Sequence, residues 1–170
     1  MNWMRTILDG FAMSAYFNLF AAAVVLYNPR LMFPSYPPAI IKSAPEPPSK
    51  AENRFYWLWI FFGELLPLLL YGAVSMVEGD TYGFWQMTLT GYIQWMMINL
   101  CDLFFLDIFL MQKRAKRRFV IPGTEGHPGY GFKAWMKSYA LPEHLLQWPL
   151  LICPLMAVVQ AGIGLLLMRL

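Results

Sequence analysis

Four long apolar runs constrain the fold of this chain more than any other feature of its sequence. Each is close to the roughly 20 residues that a helix needs to cross the hydrocarbon core of a bilayer. The residues are 58% hydrophobic and 17% aromatic, well above the share in a soluble globular domain. We therefore predict four transmembrane helices, at about residues 7–27, 55–77, 84–111 and 145–168.

The predicted fold class is an all-α, polytopic membrane protein, with four helices in a single transmembrane domain over residues 1–170. The first run follows one basic residue, Arg5, and contains Asp9. A signal peptide instead has a basic start and an uninterrupted apolar centre. We expect this run to be retained as the first helix.

The distribution of Lys and Arg predicts the orientation of the chain. Basic residues gather in the loops after the first and third spans, whereas the loop after the second span carries Glu78 and Asp80 and no cation. Both basic loops are expected in the cytoplasm and both termini outside. The net charge of +3 reflects this asymmetry, and we expect no nucleic-acid partner. Anionic lipids are expected to bind the cations that follow the third span, which are Lys113, Arg114, Lys116, Arg117 and Arg118.

The first and third loops have distinct patterns. Seven prolines between Pro29 and Pro48 predict an extended, polyproline-like first loop. In the third loop, apolar residues recur at i, i+3, i+4 and i+7, which predicts a short amphipathic helix at the membrane interface. These residues are Phe132, Trp135, Met136 and Tyr139.

The third loop also contains the segment Ile121-Pro122-Gly123-Thr124-Glu125, after a span with acidic residues and a basic exit. In these features the second half of the chain resembles a group of small four-span bacterial membrane proteins. The resemblance implies a location in the bacterial inner (plasma) membrane and implies no mechanism.

Three of the four spans carry a polar or ionisable residue at about the same depth. Asn18, Glu64 and Asp102 each lie about ten residues from the basic end of their spans, which at 1.5 Å per residue is close to the bilayer midplane. Asn99 shares a helix face with Asp102, and Gln160 lies in the fourth span. We predict that these five residues form a binding site inside the bundle.

Two carboxyls that meet in a low dielectric cannot both stay ionised without a cation between them. No Lys, Arg or His is expected at the depth of Glu64 and Asp102, so this pair is predicted to hold a proton or a cation. The alternative is that the protonated acids only link neighbouring helices through hydrogen bonds.

Two neighbours of this site have separate predicted roles. On an α-helix Asp107 is rotated by about 140° from Asp102, and we expect it to form an ion pair with Arg114 near the interface. Pro67 has no N–H for the Gly63 carbonyl, which predicts a kink and a free backbone oxygen beside the acid of the second span.

These patterns favour a small oligomeric transporter or channel for protons or cations, without a cofactor. A second hypothesis is an accessory or scaffold subunit of a larger membrane complex, packed through Trp57, Trp59, Trp85 and Trp95. A third is a membrane enzyme with a site on the cytoplasmic rim, where Glu125, His127 and His144 are candidate metal ligands. The other rim residues of that hypothesis are Tyr130 and Glu143.

Overall fold

The computed structural model describes residues 2–170 and has four helices that are long and apolar enough to cross a membrane. The first to fourth helices are Trp3–Tyr27, Lys50–Glu78, Phe84–Arg114 and Phe132–Leu167. No β-strand occurs within residues 2–170. The prediction of an all-α chain with four apolar helices of this length is confirmed.

The second helix begins earlier than the predicted span because its first turn is capped. The Ser49 hydroxyl accepts a hydrogen bond from the Glu52 N–H, and the Glu52 carboxylate accepts one from the Ser49 N–H. This reciprocal capping box satisfies two backbone donors that a helix start otherwise leaves free. The helix consequently extends past the apolar run, into the basic region of the chain.

The fourth helix is continuous from Phe132 to Leu167. The residues predicted to form a separate amphipathic helix make up its first turns, and Pro142 does not interrupt it. Trp135, predicted on the apolar face of an interfacial helix, is fully buried inside the protein. A position of these turns at a membrane interface stays a prediction.

The prediction of an extended first loop is wrong for residues 29–43, because Pro29 and Pro38 begin short helices, whereas residues 44–49 are not helical. Pro29–Ser35 is a 3-10 helix and Pro38–Ser43 is an α-helix. Proline is favourable at the first position of a helix, since its N–H would have no partner there and its φ is already helical. Between them these turns bury Phe33, Tyr36 and Ile40.

The two ends of the bundle differ in composition. The first and third loops meet at one end, where the Tyr36 hydroxyl donates a hydrogen bond to the Phe119 carbonyl at 2.9 Å. We call this end, formed by residues 28–49 and 115–131, the basic face. At the other end, the terminal face, Arg5 pairs with Glu78 and with Asp9, which ties the first helix to the end of the second.

Small residues bring the helices close together. A Cβ on Gly10 of the first helix would meet the Met97 side chain and the backbone of Gln94 on the third helix. Elsewhere on the third helix, a Cβ on Gly91 would lie 3.1 Å from the Cα of Ala157 on the fourth helix. Gly10 thus packs closely against the third helix, as expected for small residues at helix contacts in a membrane.

Candidate functional site

A cavity of about 340 Å³ lies between the four helices and reaches from mid-bundle toward the basic face. Trp95 and Met156 line its deep end, and Met32 and Tyr36 of the first loop line the end nearest the basic face. Burial raises the pKa of the Tyr36 phenol well above its usual value, so this wall of the cavity carries no charge at neutral pH. The ionisable residues among the lining are Glu64, Asp102, Asp107, Glu143 and His144, beside several tyrosines.

These five ionisable residues all lie in stretches of π-helix, in which each N–H bonds the carbonyl five residues back. The stretches are Trp59–Leu65 in the second helix, Asp102–Arg114 in the third and Glu143–Ile152 in the fourth. Backbone of this kind is uncommon and is frequently found at functional sites. In each helix the irregular stretch therefore coincides with the polar lining of the cavity.

His144 is the centre of the polar network on one side of the cavity and is 2% exposed. Its Nδ1 lies 2.7 Å from Oδ1 of Asn99, whose amide nitrogen donates to the His144 carbonyl at 2.9 Å. Its Nε2 lies 3.0 Å from Oδ2 of Asp107. Because the Asn99 oxygen only accepts, Nδ1 is the donor of that contact. The imidazole ring is therefore held from both sides, by Asn99 and by Asp107.

Asp107 does not form the predicted ion pair with Arg114. It is 4% exposed and accepts hydrogen bonds from Nε1 of Trp135 at 3.0 Å and from His144. The expected separation from Asp102 assumed α-helical geometry, whereas a π-helix brings residues five apart toward the same side. Asp107 therefore belongs to the cavity, with Asp102 beside it.

Glu64, predicted as a site residue, is 2% exposed and faces the cavity from the second helix. Nε1 of Trp59, one π-turn earlier, donates to its Oε1 at 3.2 Å. This is the only side-chain hydrogen bond of the Glu64 carboxyl within residues 2–170. The Trp59 ring is fixed in turn, since it stacks on Phe20 of the first helix with centroids 3.8 Å apart.

Asp102 lines the same cavity from the third helix, so the structure brings the two predicted carboxyls to one space. Nε2 of His144 lies 3.9 Å from Oδ2 of Asp102, whose carboxyl makes no hydrogen bond within residues 2–170. Glu143 joins from the fourth helix with a long contact of 3.5 Å from Nε1 of Trp148. His144 is thus shared between Asp107 and Asp102, and among the described residues no basic residue of the cavity lining remains for Glu64 and Glu143.

The prolines of the bundle free backbone carbonyls, and side chains of other helices occupy them. The Gly63 carbonyl, which Pro67 leaves without its partner, accepts from the Tyr16 hydroxyl at 2.7 Å. The oxygen expected to be free beside Pro67 is therefore occupied by a side chain of a neighbouring helix, and a kink at Pro67 stays a prediction. Pro149 leaves the His144 carbonyl free for Asn99 in the same way.

The other predicted site residues lie outside the cavity. Gln160 is fully buried, where its amide oxygen accepts from Nε1 of Trp95 at 2.8 Å and its nitrogen donates to Gln94 at 2.7 Å. Asn18 donates to the Ser14 carbonyl on its own helix, and its oxygen has no partner within residues 2–170. Neither residue lines the cavity. Asn99 does not line the cavity either, and it contributes to the site only through its hydrogen bonds with His144.

The rim residues of the enzyme hypothesis are divided between two places. Glu125 accepts from the Gly123 N–H and His127 accepts from the Gly129 N–H, so each stabilises the backbone of its own turn. Tyr130 contacts Thr124 in the third loop, whereas His144 lies in the cavity. No group of three or more His, Cys, Asp or Glu side chains in residues 2–170 is arranged to hold a metal ion.

The tryptophans of the scaffold hypothesis do not share one surface. Trp57 and Trp85 are 65% and 78% exposed, so their rings point outward. Trp95 is completely buried, and Trp59 is held between Phe20 and Glu64. Only the first two remain available to contact lipid or another protein.

His144 and Glu143 are the cavity residues that sequence reasoning placed elsewhere. The fourth span was expected to begin at Leu145, which put both residues at its mouth. The helix begins at Phe132 instead, so His144 lies 12 residues, or roughly 18 Å, inside it. The sequence did contain a signal for this earlier start, namely the amphipathic pattern from Phe132 to Tyr139, which directly precedes the apolar run.

Comparisons of the chain with protein-family models, curated proteins and solved structures find no match. The function is therefore argued from the geometry of the cavity.

Proposed function

We propose that this chain is a multi-pass membrane protein that binds protons or a cation in its central cavity and carries them across the membrane. Support for membrane insertion comes from the outer surface of the four helices, where large apolar side chains such as Phe62, Leu151 and Leu155 are more than half exposed. A surface of this composition is stable in lipid and not in water.

The observation that carries the proposal is the charge imbalance of the cavity. Four carboxyls line it, and among residues 2–170 its only basic lining residue is His144. One histidine cannot balance four carboxyls, so at least Glu64, which is 2% exposed, and Glu143 line the cavity without a basic partner in this part of the chain. Carboxyls in such a place are stable only when they bind protons or a cation, because burial strongly disfavours an uncompensated charge.

The location of these acids supports transport over a structural role. Acids that only link helices have their oxygens satisfied by donors on other helices, as Asp107 does with His144 and Trp135. Asp102 and one oxygen of Glu64 have no such donor, so they can take up and release a proton without breaking a helix contact. Exchange of that kind is the elementary step of a proton relay.

The direct test is proton movement into proteoliposomes loaded with a pH-sensitive dye, with the membrane potential clamped. We expect wild-type protein to dissipate an imposed pH gradient faster than empty liposomes. Glu64→Gln and Asp102→Asn should return the rate to that of empty liposomes. The exposed acids of the loops give matched controls, Glu46→Gln and Asp80→Asn, which should keep the wild-type rate. Wild-type rates in both cavity variants would overturn the proposal.

The orientation and the lipid contacts of the chain are part of the same proposal. The basic face lies in the cytoplasm of a bacterial cell, since Lys and Arg are retained on that side of the inner membrane. Anionic headgroups then bind the group of cations from Lys113 to Arg118, which surrounds a second depression on this face. Assembly into a small oligomer would extend the path past a single bundle.

A further inference from the structure

We propose that the ligand of the central cavity is a monovalent organic cation, an ammonium group attached to an apolar or aromatic body. This inference rests on the proposed function and specifies its cargo. It follows from four properties of the cavity, namely its size, its walls, the position of its free carboxyls and the geometry of its donor atoms.

The size of the cavity exceeds what a proton or a bare metal ion requires. A volume of about 340 Å³ is at the lower end of the range that small-molecule binding sites occupy. A relay that moves only protons needs a chain of hydrogen-bonding groups, and it does not need a cavity of this volume. An empty space of this size in a helix bundle costs packing energy, which a bound molecule with an apolar body would recover.

The walls of the cavity are mostly aromatic and apolar. Rings of Phe17, Tyr56, Trp95, Tyr139 and Trp148 line it. Aromatic faces attract ammonium groups through the ring quadrupole, and cages of several rings recognise quaternary ammonium ligands in particular. A small inorganic cation gains little from such walls, because it would lose the oxygen ligands of its hydration shell.

The free carboxyls lie where an ammonium group could be paired. Glu64 is almost completely buried, Trp59 holds one of its oxygens, and the other oxygen has no partner within residues 2–170. Asp102 faces the same space from the third helix. A single organic cation between them would compensate one carboxylate while the other holds a proton, and its body would fill the aromatic space.

The donor atoms do not form a metal site. Within residues 2–170, no three His, Cys, Asp or Glu side chains converge as metal ligands. Asp107 and His144 are matched to each other and to Trp135 and Asn99, so their donor atoms are already used. The remaining acids suit one diffuse positive charge better than a divalent ion.

Equilibrium binding of radiolabelled benzyltrimethylammonium to the purified full-length protein tests this inference. We expect saturable binding that a hundredfold excess of Na⁺ or K⁺ reduces less than twofold. Neopentylbenzene, the uncharged molecule of the same shape, should fail to compete. Glu64→Gln should weaken binding at least tenfold, and the exposed control Glu46→Gln should leave it unchanged.

Variants of one wall residue separate ring recognition from folding. Tyr56 lines the cavity, and its hydroxyl lies 3.0 Å from that of Ser35. Tyr56→Phe keeps the ring and should bind the probe within about twofold of wild type, whereas Tyr56→Leu should weaken binding at least fivefold. Equal binding by both variants would overturn the aromatic part of the inference.

The outcomes of the binding and flux experiments are distinguishable. Proton flux that depends on Glu64, without saturable binding of benzyltrimethylammonium, overturns this inference and leaves the proposed function standing. Binding that is unchanged in Glu64→Gln, or that Na⁺ or K⁺ displaces fully, also overturns it. The absence of both flux and binding removes the two proposals together.

Discussion

His144 determines the electrostatics of the cavity, because both of its ring nitrogens face acceptor oxygens. Asn99 and Asp107 hold the ring from two sides, and Nε1 of Trp135 donates to the second oxygen of Asp107. The sequence predicted Asn99 as a site residue but separated it from these partners. Their association depends on π-helical backbone in the third helix, which no residue type in the sequence specifies.

Replacing Asp107 tests this network. In Asp107→Asn the amide oxygen can keep the hydrogen bond from Trp135 while the NH₂ group faces Nε2 of His144, so a hydrogen bond to a carboxylate is replaced by one to a neutral amide. Hydrogen bonds to charged groups are stronger than neutral ones by about 1 kcal/mol, so the thermal unfolding midpoint of purified protein should fall by a few degrees. The same exchange at exposed Asp80, Asp80→Asn, should leave the midpoint unchanged. An unaltered midpoint in Asp107→Asn would show that the network does not stabilise the fold.

The irregular stretches of the second, third and fourth helices place the polar side chains of the site. Backbone groups that leave regular α-helical bonding are tolerated at membrane depth only where protein or a cavity surrounds them. Here Tyr16 and Asn99 bond carbonyls that Pro67 and Pro149 leave free. The prolines were visible in the sequence, but the side chains that satisfy those carbonyls come from other helices.

Contact between the third and fourth helices depends on the absence of a side chain at Gly91. A Cβ there would lie 3.1 Å from the Cα of Ala157, whereas a Cβ on Gly162 would meet nothing within 4 Å. Both glycines are helical, so Gly162→Ala should raise the free energy of unfolding by about 0.5–1 kcal/mol. Gly91→Ala should instead lower the free energy of unfolding, because the new Cβ would push the backbones of the third and fourth helices apart. Thermal unfolding of the two variants beside wild type measures the difference, and equal stabilisation would disprove the close contact.

In the bundle as a whole, loops pack over the basic face and apolar side chains surround the sides. The first and third loops are joined by Tyr36 and Phe119, and the hydroxyl of Tyr139 bonds the Ser35 carbonyl. These contacts hold the loops against the end of the cavity. The positive charges therefore lie at the basic face, and the carboxyls of the cavity lie between the helices.

This distribution predicts the orientation of the bundle in the cell. In a background with Cys101 and Cys153 replaced by Ala, a single cysteine at exposed Asp80 should react in intact cells with a maleimide that cannot cross the membrane. A cysteine at Glu46 should react only after the cells are opened. The reverse pattern would place the basic face outside and contradict the positive-inside argument.

Hydropathy and charge were sufficient to predict four helices and their approximate positions, and to single out Glu64 and Asp102, which both line the cavity, because these depend on the composition of local segments. Only the tertiary structure shows which other residues line the cavity. It adds Asp107, Glu143 and His144 to the lining and leaves out Asn18 and Gln160. The physical reason is the backbone: an extended fourth helix and three π-helical stretches change the depth and direction of side chains. Such changes are stabilised by contacts between helices, which lie far apart in the sequence.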